Sequence, residues 1–327
     1  MANVQKQFEE FHNKIRVDDY DSLREKRDIV LKRLRKHLKE NKRPGFDELL
    51  QGSYAMGVGI TPIKELEYDM DIGLRFEINY QDYNAAEISK WVYEGVEDHT
   101  DKVEQKGPCI RVTYAQGGYH LDLVCYAWEK NSNSGIFKLA HKTKGWKPAD
   151  PPGLLEFVEK TRKPFDIAKD SATQTDQFRR SVRYLKRWND EAIPRESDTK
   201  PTGLSFILLC AEHLSPTVAA SGQSDDLTAL RNFALLMANT TGRLVAKKPT
   251  PEYEDILAKL PDAEMNALKS RFESLVKILG NAAKETDPIK ACELLQTVFG
   301  KDFPVPTAEE TAARTSAPAI ITSSSSA

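Results

Sequence analysis

Gln51-Gly52-Ser53-Tyr54-Ala55-Met56-Gly57-Val58-Gly59, with Asp69-Met70-Asp71 shortly after it, is the stretch that decides how this chain folds. A Gly-Ser step opening a helix offers backbone N–H groups and a hydroxyl to a phosphate chain. The same hydroxyl also suits an N-cap, and the two roles are compatible. Residues 68–78 alternate strictly: Asp69, Asp71 and Gly73 face one way, Tyr68, Met70, Ile72 and Leu74 the other. That period predicts a strand with one apolar and one acidic face. Aspartates at i and i+2 of a strand can grip a divalent cation together. A phosphate cradle beside a carboxylate pair points to chemistry on nucleoside phosphates.

Working outward, residues 3–42 read as two helices broken near Val17-Asp18-Asp19, and Phe46–Leu50 as a short strand. A helix is predicted around 85–96. Residues 109–115 and Tyr119–Trp128 read as strands joined by Gln116-Gly117-Gly118, a hairpin signal. Asp122 lies inside the apolar run Leu121-Asp122-Leu123-Val124, where a carboxylate costs stability unless a cation answers it. Asp69, Asp71 and Asp122 are therefore expected to converge on one sheet edge. Two Mg²⁺ ions roughly 3.5–4 Å apart need such a cluster. Residues 131–135 and 144–153 read as loops, and from Leu154 onward the periodicity is helical. A small mixed sheet followed by a helical half is an α+β plan. The expected division is 1–150, 151–306, and a low-complexity tail, 307–327, expected to be disordered.

The 327 residues suffice for a bilobal unit, and the formal charge of −2 gives no global basic field, so nucleic acid is not expected as an obligate partner. Cys109, Cys125, Cys210 and Cys292 are scattered, against structural zinc and against a disulfide framework. No apolar stretch reaches the ~18 residues of a membrane span, and the polar N-terminus lacks a signal-peptide core. A cytoplasmic protein is expected. In the basic helix over 176–191, spacing alone does not separate Lys186 from Arg179, Arg183 and Arg187. Ser205 and Phe206 follow the breaker Pro201-Thr202-Gly203 and read equally as a plain helix start. His99, His120, His141 and His213 show no metal spacing.

Gln51-Gly52-Ser53-Tyr54, Asp69-Met70-Asp71-Ile72-Gly73, Cys109-Ile110-Arg111 and His120-Leu121-Asp122-Leu123 together resemble the bacterial cGAS/DncV-like nucleotidyltransferases, cyclic-oligonucleotide synthases of antiphage (CBASS-type) signalling within the DNA polymerase beta superfamily. The resemblance spans about residues 1–300 and includes Tyr184-Leu185-Lys186-Arg187-Trp188-Asn189. It implies a bilobal polymerase beta-like fold and template-independent synthesis of a cyclic di- or trinucleotide, with release of pyrophosphate. By the same resemblance Asp69, Asp71 and Asp122 are the catalytic metal ligands, holding two Mg²⁺ ions that Mn²⁺ can replace. Gln51, Gly52, Ser53 and Tyr54 line the donor triphosphate, Arg111 contacts the acceptor nucleotide, and Lys186 and Ser205 clamp the phosphates. Phe206 takes the place of a base-stacking aromatic and Asp226 of a base reader. The zinc ribbon of the animal DNA sensor is absent. A monomer is expected, and in some relatives a ubiquitin-activation-like partner joins the C-terminal carboxylate, here Ala327, to a target. Two other readings stand beside this one: a superfamily member that modifies RNA ends, a protein or a small molecule, and a non-catalytic nucleotide-binding scaffold. Retention of three mutually repelling carboxylates counts against the scaffold.

Overall fold

Helices α1 (Gln5–Ile15) and α2 (Asp21–Glu40) lead into β1 (Phe46–Leu50), the one-turn α3 (Gly52–Ala55) and β2 (Tyr68–Phe76). Next come α4 (Ala85–Val96), β3 (Lys102–Gln105), β4 (Ile110–Tyr114), β5 (Tyr119–Trp128), β6 (Phe137–His141) and β7 (Gly145–Ala149). The rest is helical: α5 (Pro151–Arg162), α6 (Gln177–Ala192), α7 (Gly203–His213), α8 (Asp226–Asn239), α9 (Asp262–Lys284), α10 (Pro288–Phe299) and α11 (Ala308–Thr315). The computed structural model describes residues 2–17, 21–63, 66–114, 118–129, 137–170, 172–194 and 197–315. The hairpin signal at 116–118 and the terminal segment 316–327, with Ala327, lie wholly or largely outside them.

The strands form one seven-stranded sheet in the order β1-β2-β5-β4-β3, with β6 pairing β5 and β7 pairing β6. β2 and β5 run parallel, with Asp69 opposite His120 and Asp71 opposite Asp122. β4 is antiparallel to β5 and sets Arg111 opposite Asp122. Met70, Ile72 and Leu74 turn to the other face, where α2 (Val30, Leu34, Leu38) and α4 (Ile88, Val92) cover them. Each such buried aliphatic contributes about 1.5–3 kcal/mol, so the register is fixed and Asp69 and Asp71 are kept on the uncovered face. β3, β6 and β7 are strands that the sequence did not announce. β3 is Lys-Val-Glu-Gln, and β7 (Gly-Trp-Lys-Pro-Ala) carries Pro148, which only an edge strand tolerates.

The halves are not divided as the sequence suggests. Val4, Phe8, Phe11 and Ile15 of α1 belong to the core of the helical half, not to the sheet half expected for residues 1–150. Phe11 stacks on Tyr184 with ring centroids 5.4 Å apart. The tail also differs, because Ala308–Thr315 is helical. Thr307 and Glu310 make a capping box there, the Glu310 carboxylate accepting from Thr307 N–H at 2.7 Å and Thr307 Oγ1 accepting from Glu310 N–H at 3.3 Å.

The basic face of α6 is not solvated. Arg183 donates to the carbonyls of Gly57 (2.7 Å) and Gly59 (3.1 Å), Lys186 to Val58 (3.0 Å) and Arg187 to Thr61 (2.7 Å). Burial and the neighbouring Arg183 push His12 down to about 2, so its neutral ring accepts from Arg183. Asp226, expected to read a base, is instead fully buried between α6 and α8. It accepts from Arg180 (2.7 and 2.8 Å), Gln177 (2.9 Å), Ser224 (2.7 Å) and Tyr184 (3.1 Å). Burial tends to raise its carboxyl, but Arg180 and the other donors hold it below the usual range.

Asp226→Ala leaves Arg180 buried and uncompensated, and should destabilise the fold by about 3–5 kcal/mol in a denaturant melt. A variant of unchanged stability and altered nucleotide selectivity would return Asp226 to the role the sequence assigned it.

Candidate active site

Gly52 is held at φ +67°, and a Cβ there would sit 2.0 Å from Asp71 Oδ2. Glycine is therefore the residue that lets the Gly-Ser turn close over the acidic strand. Beyond it, Val58 N–H bonds Ser53 O at 2.9 Å, and the chain passes into the carbonyl run that α6 holds. The turn, the acidic strand and α6 thus meet around a cleft of about 740 Å³ between the open sheet face and the helical half. Ser53, Asp69, Arg111, His120 and Asp122 line it from the sheet side, and Lys186, Asn189, Thr202 and Phe206 from the helical side. A volume of this order is that of a small-molecule site.

The carboxylates stand in three different settings. Asp69 is exposed, Asp71 is partly enclosed beneath Gly52, and Asp122 is buried. Enclosure raises the Asp71 carboxyl well above the usual range, and Asp69 and Asp122 raise it further. Asp122 is answered from within the sheet: Arg111 Nε donates to one oxygen at 2.8 Å and its second guanidinium nitrogen to the other at 2.7 Å. His120 lies between Glu67 (3.3 Å from Nδ1) and Asp122 (4.0 Å from Nε2), and its Nε2 has no hydrogen-bond partner. Burial lowers the Lys186 ammonium, against the pull of Asp69 and Asp190.

The three carboxylates offer oxygen donors, which suit Mg²⁺ or Mn²⁺. The raised Asp71 carboxyl marks a place where a cation would relieve repulsion between neighbouring acids. Asp69 and Asp71 thus fit a hard divalent ion, with Asp122 beside them. Among the described residues no group of three acidic, His or Cys side chains is already assembled for a metal, and Asp122 has both oxygens on Arg111.

Several expected nucleotide contacts point elsewhere. The Gln51 side-chain carbonyl accepts from Tyr126 (3.0 Å), the Tyr54 hydroxyl accepts from Arg24 (3.0 Å), and the fully buried Ser205 hydroxyl donates to Thr202 O (2.6 Å). None of the three side chains lines the cleft. Each satisfies a polar group of its own neighbourhood. Phe206 does line it, but is only 1% exposed and packs edge-on against Trp188. Little of its ring is offered for stacking. Conversely, Lys106, Asn189, Asp190 and Lys200 line the cleft without a role having been expected of them, and so does His120, noted in the sequence only for its lack of metal spacing. Asn189 and Asp190 lie three and four residues beyond Lys186, on the same helix face, and that spacing was the available signal. Asn189 is fixed at both ends of its amide: Nδ2 donates to Pro201 O and Oδ1 accepts from Arg271, each at 3.0 Å. Arg271 itself is lowered to about 10 by burial and sits over the Trp188 ring.

A mixed sheet carrying Gly-Ser and Asp-x-Asp on its open face, closed by a helical half, defines a polymerase beta-like nucleotidyltransferase fold. Residues 47–126 match the family described as cyclic GMP-AMP synthase DncV-like, nucleotidyltransferase domain. The chain is 22% identical over 275 residues to a c-di-GMP synthase of Roseivirga ehrenbergii, covering 77% of this chain and 72% of that protein. Its fold matches that of Vibrio cholerae DncV in complex with the linear intermediate 5′ pppA(3′,5′)pG, with a TM-score of 0.73 at 16% identity over 91% of this chain and 97% of the other. Escherichia coli DncV bound to 3′-deoxy GTP matches with a TM-score of 0.72 at 16% identity, over 89% and 93%. Residues 47–126 are thus similar to the DncV-like nucleotidyltransferase domain, and the whole fold is similar to that of DncV.

Two outcomes follow from the packing of Gly52 on Asp71. Gly52→Ala drives the acidic side chain from its place and should cost activity about a hundredfold, the scale set by a 1 Å misplacement. Asp71→Asn should raise the melting temperature in chelator above about pH 4, because a carboxyl raised on folding loses stability as the pH climbs through its folded value. The gain should shrink as the pH falls and the native carboxyl takes up its proton. A thermal melt from pH 4 to 8 reads both the size and the trend.

Proposed function

We propose that this protein joins nucleoside triphosphates, without a template, into a cyclic dinucleotide and releases pyrophosphate at each bond formed. One observation carries the reading: Asp69 and Asp122, on neighbouring parallel strands, line one cleft together with Lys186 of the helical half and Ser53 of the Gly-Ser turn. Asp69 and Asp71, joined by Asp122, would hold Mg²⁺ or Mn²⁺. When bound, such ions lower the pKa of an attacking hydroxyl and neutralise the leaving pyrophosphate. The chain's own groups do the rest. Lys186, anchored at Val58 O, keeps further N–H donors for the phosphates, and Ser53 offers its hydroxyl from the opposite wall. Lys106 adds positive charge to the same cleft, while Lys200 there is paired with Asp190 at 2.8 Å.

The relatives support this reading. One is a c-di-GMP synthase, and another holds a linear pppA(3′,5′)pG, the product expected after the first of two bond-forming steps. A trinucleotide product and a role in CBASS-type antiphage defence extend the same reading, as do a cytoplasmic location and a monomeric state. Among the described residues no helix is long and apolar enough to cross a membrane. The segment beyond α11, ending at Ala327, suits a conjugating partner of the ubiquitin-activation type.

Incubating the protein with four labelled nucleoside triphosphates and Mg²⁺ or Mn²⁺ should give a small phosphatase-resistant product that mass identifies as cyclic. Asp69→Ala with Asp71→Ala should abolish it and leave the fold intact. Product at the wild-type rate from that double variant, or label appearing only on RNA or protein, would overturn the proposal. Deleting residues 315–327 should leave synthesis unchanged while ending conjugation in cells that carry the partner. Conjugation surviving the deletion would remove the tail from the reading.

A further inference from the structure

We infer that Arg111 is a positioning residue that couples the loading of a nucleotide to the loading of a divalent cation at Asp122. The inference rests on the nucleotidyltransferase reading of the cleft. Arg111 and Asp122 are register partners on adjacent antiparallel strands, and their two parallel hydrogen bonds of 2.8 and 2.7 Å take up both carboxylate oxygens. The pair belongs to the sheet itself, yet Arg111 keeps 30% of its side chain accessible while Asp122 keeps 9%. Arg111 is therefore the partner free to move, and it lines the cleft.

A guanidinium does not leave by losing its proton, and its bond to Asp122 favours the charged form still more. It leaves a carboxylate only for another anion of matching two-pronged geometry, and a phosphate is such an anion. Nucleotide phosphates in the cleft draw Arg111 away, and Asp122 is then open to a cation. The carboxylate exchanges a guanidinium for a metal ion, and the guanidinium exchanges a carboxylate for a phosphate. Asp71 is the register partner of Asp122 on the adjacent strand, so a cation arriving at Asp122 lies beside it. By linkage the coupling is reciprocal: the cation at Asp122 tightens the nucleotide by the factor with which the nucleotide tightens the cation.

The test measures Mn²⁺ binding to the full-length chain by calorimetry and electron paramagnetic resonance, with and without a nonhydrolysable GTP analogue. In the wild type the analogue should tighten the weaker Mn²⁺ by about tenfold or more, the scale of one charge-assisted pair. Arg111→Gln should bind Mn²⁺ alone about that much more tightly than the wild type, with the analogue adding less than about twofold. Arg111→Lys, which keeps the charge but not the fork, should fall between and serves also if Arg111→Gln unfolds in a thermal melt. Asp122→Asn should lose the coupled ion. Equal Mn²⁺ affinity without analogue in wild type, Arg111→Gln and Arg111→Lys, or undiminished coupling in the variants, would overturn the inference. Failure of the analogue to bind the wild type would instead count against the nucleotidyltransferase reading, while the Mn²⁺-only comparison would still decide the role of Arg111.

Discussion

The grip of α6 on the carbonyls of residues 57–61 is the constraint on which the rest of the molecule depends. Arg183, Lys186 and Arg187 are largely withdrawn from water, and a buried cation is tolerated only with acceptors around it. The chain leaving the Gly-Ser turn supplies those acceptors from its backbone. Hydrogen bonds with a charged donor are roughly twice as strong as neutral ones, and four are made within five residues of that segment. One set of bonds therefore joins the halves and fixes the distance from Ser53 to Lys186. The structural clamp and the cleft-lining lysine share one helix face.

On the sheet side, order comes from burial. The aliphatic face of β2 is locked under α2 and α4, so the acidic face has nowhere to go except the cleft. Within that face the three aspartates are not equivalent. Asp69 is hydrated, Asp71 is crowded beneath Gly52, and Asp122 is paired with Arg111. Position on the sheet gives each carboxylate a different affinity for charge, which a solvated acidic strand would not.

Much of this was legible in the sequence, where the physics is local. The period-two alternation over 68–78 and the apolar runs at 119–128 correspond to β2 and β5, and the helix expected at 85–96 is α4. The strands that escaped, β3, β6 and β7, take their stability from pairing with neighbours and not from their own pattern. The site residues divide in the same way. Asp69, Asp122 and Ser53 line the cleft, since motif and strand face define them, and so does Lys186, which the resemblance and not the spacing picked out. Gln51, Tyr54, Ser205 and Asp226 were misplaced because each has a polar neighbour distant in sequence or in its own turn: Tyr126, Arg24, the Thr202 carbonyl and Arg180. Spacing carries no information about such partners. The basic face of α6 is the clearest case, since a solvated stripe and a buried clamp have the same periodicity.

The seating of α1 gives the chain an unusual order of assembly. Its first helix and the helices from α5 to α10 build one core, so the sheet half is an insertion between two segments of the helical half. A cut between residues 150 and 151 would not yield two self-sufficient pieces. The leading fragment would carry the apolar face of α1 bare, and the trailing fragment would lack Phe8 and Phe11 from its aromatic cluster. Each piece holds what the other is missing: α1 and the segment with Met56, Val58 and Ile60 on one side, and the core that receives them on the other.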